Sequence, residues 1–92
     1  MITLRLFASL RDLAGQKEVN IEKENATLKE LLDDFAGKYG EKAHDVLFDQ
    51  DGNIWQSVML LINGQPVDRE PGVPVKSGDV VSILLPTAGG SR

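Results

Sequence analysis

The stretch from Thr27 to Gly40 most constrains what this chain can fold into. Thr27 and Glu30 stand three residues apart just before an apolar run, the spacing of a reciprocal N-terminal capping box. Leu28, Leu31, Leu32, Phe35, Ala36 and Tyr39 then recur at helical intervals and form one continuous apolar stripe. Lys29, Asp33, Asp34 and Lys38 fall on the opposite side. The spacing predicts a helix over 28–39, with Gly37 in its last turn and Gly40 after it. Such a stripe has to be buried against a second layer, and the rest of the chain offers mainly strands.

Ile2, Leu4 and Leu6 alternate with Thr3, Arg5 and Phe7, which predicts a strand over 2–7. Leu10, Leu13 and Ala14 follow at helical spacing before Gly15, and Val19 and Ile21 mark a short second strand over 18–22. Ala43, Val46, Leu47 and Phe48 suit a short further helix, and residues 49–53 a turn. Val58 to Ile62 is an apolar strand followed by Asn63-Gly64, the strongest short hairpin signal. The return strand, Gln65-Pro66-Val67, belongs at a sheet edge, because proline cannot donate to a ladder. A loop over 70–74 and a turn over 76–79 lead to the last strand, Val80 to Leu85. The expected order is strand, strand, helix, strand, strand, strand. This is a two-layer α+β domain with one main helix across a mixed sheet of four to five strands, and the strongly apolar first and last strands sit centrally.

Ninety-two residues suffice for one core. The chain has no cysteine, which removes thiolate catalysis and Cys-based metal sites and suits the cytoplasm. Its formal net charge of −4 argues against nucleic acid as a partner. No signal peptide opens the sequence, and no run is long enough to span a membrane. Asp49, Asp51 and Asn53 match the start of a calcium loop, but Ile54 and Leu60 stand where glycine and glutamate are needed, so a plain turn is expected. His44 is the lone histidine, and no glycine-rich run has phosphate-loop spacing. With no catalytic constellation of its own, the chain is expected to act by being recognised.

Two features could be recognised. On the last strand, Val81, Ile83 and Leu85 share the face that the helix covers. Val80 and Leu84 then share the opposite face, beside Arg5 and Phe7, unless residues 41–57 cover it. The second feature is the end, Pro86-Thr87-Ala88-Gly89-Gly90-Ser91-Arg92. Adjacent glycines stabilise nothing, but a backbone without Cβ atoms can thread a narrow slot and present its carbonyl carbon to attack. The expected division is a domain over 1–86 and a flexible tail over 87–92.

Phe7-Ala8-Ser9-Leu10-Arg11-Asp12-Leu13-Ala14-Gly15 resembles the opening FA-x-L-R-x-x-x-G of the molybdopterin synthase small subunit and its sulfur-carrier relatives. Ser77-Gly78-Asp79-Val80-Val81 through Pro86-Thr87-Ala88-Gly89-Gly90 resembles that family's ending, and Ile62-Asn63-Gly64 and the capped helix sit where the family places its hairpin and helix. The resemblance implies a ubiquitin-like β-grasp fold and a carrier without an active site or bound cofactor. It implies that an ATP-dependent, ubiquitin-activating-like enzyme adenylates the C-terminal glycine carboxylate. A sulfur donor then displaces AMP to leave a thiocarboxylate, which passes sulfur to a synthase subunit in molybdopterin, tungsten-cofactor or related biosynthesis. Gly90 would be the activated residue, with Ala88 and Gly89 in the inserted tail, and Phe7, Arg5, Val80 and Leu84 as docking surface. Fully extended, residues 86–90 would reach about 17 Å.

One departure matters: Ser91 and Arg92 follow the second glycine, so Gly90 carries an amide rather than a carboxylate. Either a protease, such as a processing metalloprotease, removes Ser91 and Arg92, or these residues are foreign to the natural chain, or carrier activity has been lost. The same tail would also serve a protein modifier joined through Gly90 to target lysines. A non-activated interaction domain would not need it.

Overall fold

The computed structural model describes residues 1–68, 70 and 72–85. Helix α2 (Leu28–Tyr39) forms as the capping box requires. Thr27 accepts the Glu30 amide through Oγ1 at 3.2 Å, and Glu30 Oε1 accepts the Thr27 amide at 2.8 Å. Both bonds satisfy helix-end donors that would otherwise lack a partner. Leu28, Leu31, Leu32, Phe35 and Ala36 are buried, so the stripe read from the sequence is the face that packs.

It packs on a five-stranded sheet. Strand β1 (Ile2–Leu6) is followed by α1 (Ala8–Ala14) and β2 (Glu18–Ile21). β3 (Asn25–Thr27) leads directly into α2, and after α2 come α3 (Glu41–Leu47), β4 (Met59–Ile62), β5 (Gln65–Val67), β6 (Pro74–Lys76) and β7 (Val80–Leu84). The main sheet runs β2-β1-β7-β4-β5. The first and last strands lie side by side and parallel, with Leu4 opposite Val81, and every other pairing is antiparallel. Ile2, Leu4, Leu6, Leu60, Val81 and Ile83 join the α2 residues in one buried cluster. Each such side chain contributes about 1.5–3 kcal/mol by leaving water. A mixed sheet gripping one main helix is the β-grasp arrangement.

Local signals translate directly. Gly15 caps α1 in the left-handed region at φ 73°, its amide donating to the Arg11 carbonyl at 2.9 Å. Asn63 and Gly64 both take positive φ (52° and 84°), as a tight hairpin turn between β4 and β5 demands. Pro66 lies in the edge strand.

One difference from the expected order stands out. β3 and β6 form a second, two-stranded sheet, with Ala26 opposite Val75, where a cap and a loop were expected. Each strand has three residues, too few for a period to show, and the pair is held by burial of Ala26 and Val75. α1 and α3 form where the helical spacing of Leu10, Leu13 and Ala14 and the run from Ala43 to Phe48 place short helices. Residues 41–57 do not cover the far side of the sheet. Ala43, Leu47, Phe48 and Ile54 are buried in the helix-side core, and the Trp55 indole donates to the Asp45 carbonyl at 2.9 Å. Asp49 closes the following turn, accepting the amides of Asp51 and Asn53 through Oδ1. Among the described residues no group of acidic or histidine side chains is arranged to hold a metal ion.

Candidate functional site

The sheet has one face under α2 and one face open. Strand register decides which side chains share the open face, because directly opposed residues point the same way. Arg5 lies opposite Ser82, Ser82 opposite Leu61, and Leu61 opposite Pro66. Arg5 is flanked on its other side by Glu18. One step along, Thr3 lies opposite Val80, and in the other direction Leu84 lies opposite Met59.

Phe7 continues the alternation of β1. Its backbone is still extended (φ −133°, ψ 156°), and the chain leaves the strand direction only at Ala8, which sits at φ 54°. Phe7 therefore stays on the side of Arg5 rather than turning into the core with Leu6 and Leu10. The Arg5 guanidinium lies 6.0 Å from the Phe7 ring centre, and its Nε is 3.5 Å from Glu18 Oε2. Both partners of that ion pair are about half exposed, so it orients Arg5 more than it stabilises the fold.

The four docking residues read from the sequence thus come together. Arg5, Phe7, Val80 and Leu84 occupy one face, with Phe7, Val80 and Leu84 half-buried. The sequence reading missed Met59, Leu61 and Pro66, which extend the same surface across β4 and β5. Met59 is 56% exposed, the most exposed large apolar side chain of the described residues. Val58 to Ile62 is apolar throughout, so alternation there has no polar contrast to mark Met59 and Leu61 as the open side. Ser82 is nearly enclosed between these neighbours, and among the described residues no buried side-chain polar atom lacks a hydrogen-bond partner. The result is an apolar strip with a charged edge at Arg5 and Glu18, the kind of surface proteins use to bind one another.

The strip reaches the end of β7, where Leu84 and Leu85 precede Pro86. The other expected site residues, Ala88, Gly89, Gly90, Ser91 and Arg92, lie outside the described residues. No helix of the described residues is long and apolar enough to cross a membrane.

Comparison with known proteins agrees with this geometry. The sequence model of the ThiS family matches residues 4–90. No curated protein matches the chain significantly. Among solved structures, the chain is similar to SAMP1 of Haloferax volcanii, with TM-score 0.82 and 27% identity over 97% of this chain and 98% of that one. It is similar to a putative molybdopterin converting factor, subunit 1, of Pyrococcus furiosus, with TM-score 0.71 and 30% identity over 94% and 97% of the two chains. The small archaeal modifier protein 1 of Methanosarcina acetivorans matches with TM-score 0.75 and 28% identity over 97% and 95%.

Proposed function

Because this chain belongs to the ThiS family, a family of ubiquitin-like β-grasp proteins, we propose that it is a sulfur carrier that works through the carboxyl carbon of Gly90. The observation that carries this reading is the extent of the match, which runs through both glycines to residue 90. The open strip ending at Leu84 supports it, since a partner docked there is placed beside the point where the sequence enters the glycine segment.

The chemistry needs little from the carrier. A protease first hydrolyses the Gly90–Ser91 bond, and water supplies the oxygen of the new carboxylate. That carboxylate is a poor electrophile. In the partner enzyme its oxygen attacks the α-phosphorus of ATP and expels pyrophosphate, giving an acyl-adenylate. A donor persulfide attacks the activated carbonyl and AMP leaves with the C–O bonding pair. A thiolate then attacks the donor's sulfur in the resulting acyl disulfide, forms a new disulfide with it, and releases the thiocarboxylate. Catalytic groups belong to the partners, while the carrier supplies a docking surface and an unhindered terminus. The acceptor is a synthase subunit, and the resemblance to the molybdopterin converting factor favours a molybdenum- or tungsten-cofactor pathway.

A second reading draws on the likeness to SAMP1, a protein named a modifier: the same adenylate is captured by a lysine amine of a target protein. The two readings separate chemically, since an isopeptide conjugate survives thiol reagents and a thiocarboxylate carrier makes none.

Intact-mass spectrometry of the protein from its native host tests the proposal. The expected species ends at Gly90 and has one oxygen replaced by sulfur. A terminus beyond Gly90 in every molecule, with the activating enzyme present, would overturn it.

A further inference from the structure

At the end of β1, beside Phe7, three cations from three different elements line one cleft: Arg5 of β1, Arg11 of α1, and Lys17 of the turn before β2. The Leu6 amide donates to the Lys17 carbonyl at 2.8 Å, and Gly15 reverses the chain after α1, so both segments are held against the strand end. Glu18 is the cleft's acidic residue and is already engaged by Arg5. Among the described residues Arg11 and Lys17 have no ion-pair partner. A chain whose net charge is −4 therefore carries a local excess of positive charge at one spot, and this spot adjoins the open strip through Phe7.

We propose that this cleft receives an acidic polypeptide segment of the docking partner, with an apolar residue of that segment seated on Phe7 and carboxylates facing Arg11 and Lys17. The inference rests on the reading that the Phe7–Leu84 strip is a docking surface, and it states the charge of what docks there. Positive groups at the rim of an apolar strip select against basic segments and speed encounter with acidic ones. The rest of the carrier is acidic and repels the same partner. Attraction confined to one end of the strip therefore fixes which way round the carrier lands, with the end of β7 beside the cleft.

The test is an NMR titration of the isotope-labelled protein. The probe is a synthetic peptide with glutamates on both sides of a Leu-Phe pair, run beside an analogue in which each glutamate is glutamine. Amide shifts are expected at Leu6, Phe7, Arg11, Lys17 and Leu84 with the glutamate peptide. Affinity should fall about tenfold with the glutamine peptide, in about 0.5 M salt, or in Arg11→Gln/Lys17→Gln. Arg11→Lys/Lys17→Arg, which keeps both charges, should bind like the parent, and its spectrum controls for folding. Equal shifts with the glutamine peptide, the same shifts with inorganic phosphate alone, shifts centred elsewhere, or none at all would each overturn the proposal. Adenylation of a chain ending at Gly90 by the host's activating enzyme is measured separately. Its absence would sink the carrier reading, while the peptide titration still decides the cleft.

Discussion

Asn63 and Asp79 lock the two turns at one end of the sheet together: Asn63 Nδ2 donates to Asp79 Oδ1 at 2.9 Å. Asn63 Oδ1 accepts the Val80 amide at 2.9 Å, and Asp79 Oδ2 accepts the Lys76 amide at 2.9 Å. The hairpin turn, the turn over 76–79 and the start of β7 are thereby held by two side chains. These hydrogen bonds, the Lys76 amide first and the Asn63 amide next, hold the Asp79 carboxyl below its ordinary aspartate value.

A lowered folded-state pKa means that folding favours the ionised form. The resulting stability is present in full above the ordinary aspartate range and is lost as pH falls through the lower folded-state value. Asp79→Asn should therefore unfold at lower denaturant concentration at neutral pH, and its deficit should shrink as the parent protein is acidified. A deficit of the same size at neutral and strongly acidic pH would show that the carboxylate's charge contributes nothing.

Gly37 lies in the last turn of α2, and a Cβ built there meets nothing within 4 Å. Its φ is not in the left-handed region, so alanine fits without strain. Gly37→Ala should stabilise the fold by about 0.5–1 kcal/mol, a rise of a few degrees in Tm. Thermal unfolding followed by circular dichroism measures it, and an unchanged or lower Tm would refute the assignment of this glycine as a plain helix position.

Leu84 and Met59 face each other on the open strip. In a chain ending at Gly90, Leu84→Glu and Met59→Glu should each raise the activating enzyme's KM about tenfold or more, with kcat little changed. Met59 is mostly exposed, so its variant isolates docking from folding. Steady-state pyrophosphate release reads both constants, and an unaltered KM in both variants would place the interface elsewhere.

A chain ending at Gly90 should be adenylated by the activating enzyme without any protease, whereas one continuing through Ser91 should not be. Removing Gly90 as well should abolish adenylation and leave the thermal unfolding curve unchanged. Equal adenylation of the Gly90- and Ser91-ended chains would show that the reactive group is not the Gly90 carboxyl.

What could be read from the sequence alone divides by how local its cause is. The α2 cap, the Gly15 stop and the Asn63-Gly64 turn each depend on a few neighbouring residues, and all three form as read. Arg5, Phe7, Val80 and Leu84 were visible on one face because alternation carries through β1 and β7. Met59 and Leu61 were hidden because Val58 to Ile62 is apolar throughout, so no contrast marks which side is open. β3 and β6 acquire strand geometry only by pairing across a long sequence separation, which no local pattern encodes. Arg11 and Lys17 likewise meet only after the Gly15 turn and the Leu6–Lys17 hydrogen bond bring them together.

The central position of β7 also governs what an incomplete copy can do. β7 joins β1 to β4, so without it the sheet separates into two unconnected pairs. A chain that ends before Val80 lacks this strand and cannot join the two pairs over one core. The glycines follow this strand directly in sequence. The strand that closes the sheet is thus also the one that carries the chain into its glycines, so every copy that reaches Gly90 already contains all the strands of its fold.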